Sequence, residues 1–174
     1  MFRKIFVRND QVQFENLDLM GVVYNANYLS FYERARSQAL EENGLSFSEV
    51  IQTGVGIAIP ETHIKFRLPL RLHENFATLT FLAASSRSTI RVIQLIVKGH
   101  RNMSEFSHIT SEEDIRKIEG IVNIAEIILV FVDVQKGKPT AIPKDVADKL
   151  GVPLDPKDHT RPEFGQIKMS FFQT

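Results

Sequence analysis

Polar and apolar positions change their rhythm several times along the chain, and each change marks an element. Residues 4 to 14, KIFVRNDQVQF, alternate loosely and predict a first strand. From Asn27 to Asn43 the period lengthens to that of a helix, with Asn25 and Asn27 as candidate N-caps and Gly44 where a helix end favours glycine. On that helix Tyr28, Leu29, Phe31, Tyr32, Ala35, Ala39 and Leu40 cover about half the circumference. A face so broad predicts cover from several directions. Arg36 falls inside it and is expected to reach out along its stem to Glu33, one turn earlier.

Beyond SFSEVIQTG the chain predicts strands. VGIAIPETHIKFRL alternates on both sides of Pro60, where a bulge or edge kink is expected. NFATLTFLAA, TIRVIQLIVKGH and IVNIAEIILVFVDV follow, dense in Val, Ile, Phe and Thr. One broad-faced helix and long strands imply an α+β fold, an antiparallel sheet wrapped around the helix. A polar insert, residues 102–120, separates the last two strands. Within it TSEEDIRKIEG has the cap, acidic first turn and final glycine of a short helix. After DVADKLGV, expected to be helical, the chain turns into proline-punctuated loop, and its final IKMSFF is either a docked tail or another strand. The expected organisation is one domain over 1–150 carrying the insert, with a C-terminal extension over 151–174.

Composition narrows the function more by exclusion than by assertion. Apolar residues make up 43% and charged residues 24%, and 21 basic side chains balance 21 acidic ones. No basic excess points to nucleic acid. The absence of cysteine removes disulfides, thiolate ligands and a cysteine nucleophile. No run approaches a membrane span and MFRKIFVRND lacks a signal-peptide core, so a cytoplasmic protein is expected. His63, His73, His100, His108 and His159 show no metal-ligand spacing, so no metal is expected. Ser46 and Ser48 have no G-x-S-x-G elbow around them.

Candidate chemistry concentrates in FENLDLMGVVYNANYLSFYERAR. An aspartate before a helix is commonly turn chemistry. The other reading places Asp18 against a substrate carbonyl held at the helix N-terminus, where free N–H groups and the dipole stabilise an oxyanion. Gly21 would then admit a close approach, and Val22 and Val23 would dry the pocket. Glu126 interrupts an apolar strand and needs a partner if buried. Arg67, Arg71, Arg87 and Arg91 are candidates for phosphate contacts, against the simpler reading of solvated sheet surface.

This motif resembles the signature of the hotdog-fold acyl-CoA thioesterases of the 4-hydroxybenzoyl-CoA thioesterase-like group, with the Tol–Pal-associated thioesterases as the nearest subgroup. The matching positions are Asp18, Gly21, Val22, Val23, Tyr24, Tyr28, Phe31, Glu33, Ala35 and Arg36. IKFRLPLRL resembles the family's second strand at Phe66 and Pro69. AEIILVFVDVQKGKPTAIP resembles its last strand at Ala125, Glu126, Val132, Asp133, Lys138, Pro139 and Pro143. The resemblance implies a hotdog fold, a homodimer or homotetramer, and hydrolysis of acyl-CoA or acyl-carrier-protein thioesters, with no cofactor expected beyond coenzyme A as part of a substrate. It implies Asp18 as the catalytic carboxylate and the Asn25 backbone N–H as the carbonyl donor. Gly21, Val22, Val23, Tyr24 and Tyr28 are expected to bind substrate. Ser88 and Thr89 are expected to complete a pocket shared between protomers. Asn16 and Leu17 stand where the family often has an acid and a threonine or cysteine, and Asn25 where the nearest subgroup frequently has histidine. A non-hydrolysing acyl-binding or protein-interaction module is the competing reading, and a dehydratase would need a histidine paired with an acid.

Overall fold

The structure is a computed structural model that describes residues 5–152. The last expected feature, IKMSFF, lies outside them. β1 (Ile5–Gln11), β2 (Val55–Phe66), β3 (Asn75–Ser85), β4 (Thr89–Lys98) and β5 (Ile121–Asp133) form one antiparallel sheet in the order β1-β3-β4-β5-β2, and a two-residue β6 (Lys138–Pro139) adds to β5. α1 (Asn27–Glu42) and α2 (Phe47–Gln52) precede β2, α3 (Glu112–Arg116) lies in the insert, and α4 (Lys144–Leu150) follows β6. The α+β class and the antiparallel sheet agree with the sequence pattern. So does the bulge at Pro60, where the β2–β5 register shifts between Ala58 and Glu61 on an edge strand that tolerates a missing N–H.

α1 buries a narrower face than its composition suggests. Tyr28, Phe31, Tyr32, Ala35 and Ala39 are buried, all on one stripe, whereas Leu29 is 47% exposed. Each fully buried aromatic on that stripe contributes about 2–3 kcal/mol. The stripe packs on the inner sheet face with Phe6, Val12, Phe76, Leu82, Val92 and Phe131. Phe31 sits 4.7 Å from the Phe76 ring and Tyr28 5.4 Å from Phe66. Polar residues beneath the helix are paired, apart from the buried Asn123 Nδ2, which has no partner among the described residues. Gln94 Nε2 donates to the Tyr32 carbonyl at 3.1 Å and to Thr80 Oγ1 at 2.8 Å, and the Tyr32 hydroxyl bonds Asn123 Oδ1. Arg36 pairs with Glu33, as its spacing suggests, but its other nitrogen donates to buried Gln94 Oε1 at 2.6 Å. It therefore ties helix to sheet rather than only reaching outward.

The helix caps differ from expectation. Neither Asn25 nor Asn27 caps α1; the N-cap is Ala26, in helical conformation and without a side-chain bond. Asn27 Nδ2 instead donates to the Asn16 carbonyl at 2.9 Å, so its side chain fastens the preceding loop. Gly44 has φ +67, the left-handed conformation expected after a helix.

The insert covers the outer face of the sheet. Phe106, Ile109 and Ile115 are buried against Leu79, Phe81, Ile93, Leu95, Val97 and Ile124, a second core on the side opposite α1. α3 is the short helix expected there, and Ser111 caps it by accepting the Asp114 N–H at 3.3 Å. The Thr110 N–H is the first of several donors that hold the Asp114 carboxyl well below the usual aspartate range, with Ser111 and Lys117 adding to it. A depressed carboxyl stabilises the fold above its unfolded pKa of about 3.9 and loses that contribution as pH falls. Amide protection factors in Glu112–Ile118, taken relative to the intrinsic exchange rate at each pH, are expected to fall on acidification from pH 5 to 3 before those in β3 and β4 do. A simultaneous fall in insert and sheet would show that Asp114 has no such local role.

Candidate functional site

Asp18 sits in a tight turn closed at both ends by backbone bonds. The Asp18 N–H donates to the Val22 carbonyl at 2.9 Å, and the Gly21 N–H returns to the Asp18 carbonyl at 3.0 Å. Gly21 takes φ +70, which an L side chain adopts only with strain, and a Cβ there would meet nothing within 4 Å. Leu17 bridges Val23, Val22 bridges Arg71, and the Val23 N–H donates to the Leu70 carbonyl at 2.9 Å. The loop from 17 to 24 is thus a miniature hairpin laid beside the β2–β3 connection.

Asn16 fastens this hairpin to the helix. Its carbonyl accepts both the Tyr24 N–H and the Asn27 side chain at 2.9 Å, and its Oδ1 accepts the Gln13 N–H at 2.8 Å. Sequence reasoning treats Asn16 only as a departure from the family pattern. The signal that would have found it is local: asparagine is well suited to bonding nearby backbone.

Asp18 is half-buried, and one carboxylate oxygen, Oδ1, accepts the Met20 N–H at 2.8 Å. This is the ordinary turn role of aspartate. Oδ2 has no hydrogen-bond partner among the described residues. Seven residues on, Asn25 and Ala26 are exposed residues whose backbone N–H groups donate to no described residue. A carboxylate oxygen and unspent donors at a helix start therefore sit on one rigid unit, which can polarise a carbonyl and supply a base or nucleophile.

The surrounding residues sort by exposure. Val23 and Tyr28 are each 2% exposed, Val22 is half-buried, and Tyr24 is 54% exposed. Burial pushes the Tyr28 hydroxyl above the usual phenol range, with a Leu70 backbone bond offsetting part of that shift. Ser88 and Thr89 are not brought to Asp18 within the chain. Thr89 begins β4 and Ser88 precedes it, at the end of the β3–β4 pair away from Asn75, and the ten residues of β4 span about 33 Å. The Ser88 carbonyl accepts the Phe131 N–H at 2.8 Å.

Exposed apolar side chains surround the Asp18 unit. Leu19, Met20 and Phe14 stand fully or mostly free, and Leu29, Leu68 and Leu72 are partly free. Arg67 and Arg71, also exposed, flank Leu68 and Leu70 on the β2–β3 connection. Glu126 has the partner that its burial demands: Arg91 Nε donates to Oε1 at 2.5 Å on the outer face. His63, opposite Glu126 in the strand register, is exposed, as the polar alternation of its strand suggests. Among the described residues no group of three or more histidines and carboxylates is placed to hold a metal, and no helix is long and apolar enough to cross a membrane.

Similarity to known proteins bears on this arrangement. Residues 12–150 match the thioesterase-like superfamily. The acyl-CoA thioester hydrolase YbgC of Escherichia coli O157:H7 is 27% identical over 136 residues, 78% of this chain and 88% of that protein. A chloroplastic acyl-acyl carrier protein thioesterase of Arabidopsis thaliana, ATL2, is 30% identical over 78% of this chain and 62% of its own length. The solved 1,4-dihydroxy-2-naphthoyl-CoA thioesterase from Synechocystis superposes with a TM-score of 0.70 at 16% identity, covering 85% of this chain and 96% of that one. With the curled antiparallel sheet, the matched span and the Asp18 unit together, the chain belongs to the thioesterase-like superfamily, the hotdog superfamily.

Proposed function

We propose that this chain hydrolyses acyl-CoA thioesters, with Asp18 as the catalytic carboxylate and the Asn25 backbone N–H as the carbonyl donor. That it is a thioester hydrolase follows from the family and from relatives so named. The single observation carrying the mechanism is the pairing, on one fastened loop, of a free Asp18 oxygen with unspent donors at the start of a 16-residue helix.

A thioester carbonyl set against Asn25 meets a donor already oriented and the positive end of the α1 dipole. Charge developing on that oxygen is stabilised without reorganisation. Asp18 then either attacks the carbonyl carbon, displacing the thiolate and forming an anhydride that water hydrolyses, or takes a proton from a water that attacks and displaces the thiolate directly. Both routes release the free acid and return Asp18 to its carboxylate. Gly21 lets the reacting group approach the backbone, and Val22, Val23, Tyr24 and Tyr28 form the apolar side. Nothing in this sequence of events calls for a cofactor.

The apolar ring around Asp18 is far more exposed than a working pocket should be. A second copy covering it would dry the site, make α1 the central helix of a wrapped pair, and bring the Ser88–Thr89 end of one protomer toward the Asp18 of the other. We read the protein as a cytoplasmic homo-oligomer of the Tol–Pal-associated type on the same grounds as the motif match. The YbgC relatives favour coenzyme A as carrier, and ATL2 makes acyl carrier protein the alternative.

Thiol release from a panel of aliphatic and aromatic acyl-CoA thioesters tests this directly. Saturable turnover of at least one thioester is expected. Tight acyl-CoA binding with no turnover across the panel would replace hydrolysis by the binding-module reading, and turnover confined to dehydration of 3-hydroxyacyl thioesters would make it a dehydratase.

A further inference from the structure

We propose that Arg67 and Arg71 hold the phosphates of the coenzyme A carrier, which rests on the reading above that the thioester reacts at Asp18. The β2–β3 connection carrying them is rigid in its backbone and open in its side chains. The Arg67 and Leu68 N–H groups both donate to the Val122 carbonyl, at 2.8 and 3.0 Å. Leu70 is fully buried and its carbonyl accepts the Val23 N–H. The Arg71 N–H donates to Glu74 Oε2 at 2.7 Å. Arg67, Leu68, Pro69, Arg71 and Leu72 nevertheless all face solvent.

Charge pairing and position together pick out these two guanidiniums: Arg87 is also exposed and forms no salt bridge among the described residues, but it precedes β4 at the Ser88 end of the sheet, away from the Asp18 hairpin. Arg8, Arg34, Arg36, Arg91 and Arg101 each meet a carboxylate. Among the described residues neither Arg67 nor Arg71 forms a salt bridge, and Glu74, the carboxylate beside Arg71, is engaged by Lys98 at 2.9 Å. Val22 bridges Arg71, so the strip lies directly against the Asp18 hairpin. A thioester group at Asp18 therefore places the remainder of its carrier within reach of this connection. Guanidinium forks match phosphate oxygens two at a time, and they keep their charge at any working pH. The partly exposed leucines between and beside them offer apolar contact to the pantetheine arm. An acidic carrier protein would favour a wide basic face, whereas this chain is neutral overall with 21 charges of each sign. Two arginines on a narrow strip suit a small phosphorylated ligand.

The test compares wild type with Arg67→Ala/Arg71→Ala on two substrates carrying the same acyl group, one on coenzyme A and one on N-acetylcysteamine, which lacks every phosphate. KM for the acyl-CoA is expected to rise about tenfold or more, with kcat little changed, while kcat/KM for the truncated thioester stays the same. Equal losses on both substrates would mean a structural role and overturn the proposal, as would no loss on either. Loss toward acyl-carrier protein alone would transfer the strip to a protein partner and overturn it too. Titration of free coenzyme A by calorimetry gives a readout independent of turnover, and about tenfold weaker binding by the variant is expected. If wild type hydrolyses no thioester, the proposed function fails, and this titration alone still decides whether the arginines bind phosphate.

Discussion

Asp18→Asn is expected to lower kcat by about two to four orders of magnitude while leaving KM for acyl-CoA within about threefold. Asparagine retains an oxygen to accept the Met20 N–H, so the turn survives and only the anionic oxygen is lost. Asp18→Ala removes both functions and is expected to be as inactive and also less stable, by about 1 kcal/mol for the broken turn bond. The pair of variants separates the two roles that one aspartate can play. Should the asparagine variant keep more than about a tenth of wild-type kcat while the alanine variant fails, Asp18 is a turn residue and no catalyst. Stability of the asparagine variant, measured by urea unfolding, is expected to match wild type, which excludes misfolding as the cause of lost activity.

The same aspartate shows where sequence reasoning reaches and where it stops. Strands, bulge, insert helix and the extent of α1 are legible because alternation, the glycine at 44 and the capping pattern at Ser111 are local properties. What stayed hidden depends on which surface another segment covers. Leu29 has the composition of a buried helix position, yet it faces outward in the single chain because the stripe through Tyr28 and Phe31 faces the sheet. The insert reads as a polar interruption in the sequence, but three of its apolar side chains close the outer sheet face. Asn25 and Asn27 carry good capping side chains, and neither caps, because Asn27 is recruited to Asn16. That exchange leaves donors at the helix start unspent, a feature with chemical consequences that no cap rule reveals. The Ser88–Thr89 end marks the other limit. Within one chain these residues lie at the opposite end of β4, about 33 Å of strand, from the end beside the Asp18 loop, and a second copy is what would bring them to it.

Arg91→Met is expected to destabilise the fold by about 3–5 kcal/mol, a larger stability effect than any change in the Asp18 loop should give. The Glu126 side chain is 4% exposed, and Arg91 Nε reaches its Oε1 at 2.5 Å across neighbouring strands of the outer face. Removing the guanidinium leaves a carboxylate enclosed by Ile93, Ile124 and Ile128 strand neighbours with its principal counter-charge gone. Its desolvation, formerly offset by the pair, then falls on the folded state. Arg91→Met combined with Glu126→Leu removes both charges and is expected to recover most of the loss, to within about 2 kcal/mol of wild type, since an apolar pair suits this sheet. Urea unfolding at pH 7 measures all three, and a cost below about 1 kcal/mol for Arg91→Met would show that the pair contributes little. Glu126 also stands at a position where the chain resembles the family's last strand, so the double variant decides a second matter. Activity per folded molecule is expected to persist in it, because Glu126 points to the face opposite α1 and Asp18. A folded but inactive double variant would make Glu126 part of the chemistry rather than of the sheet.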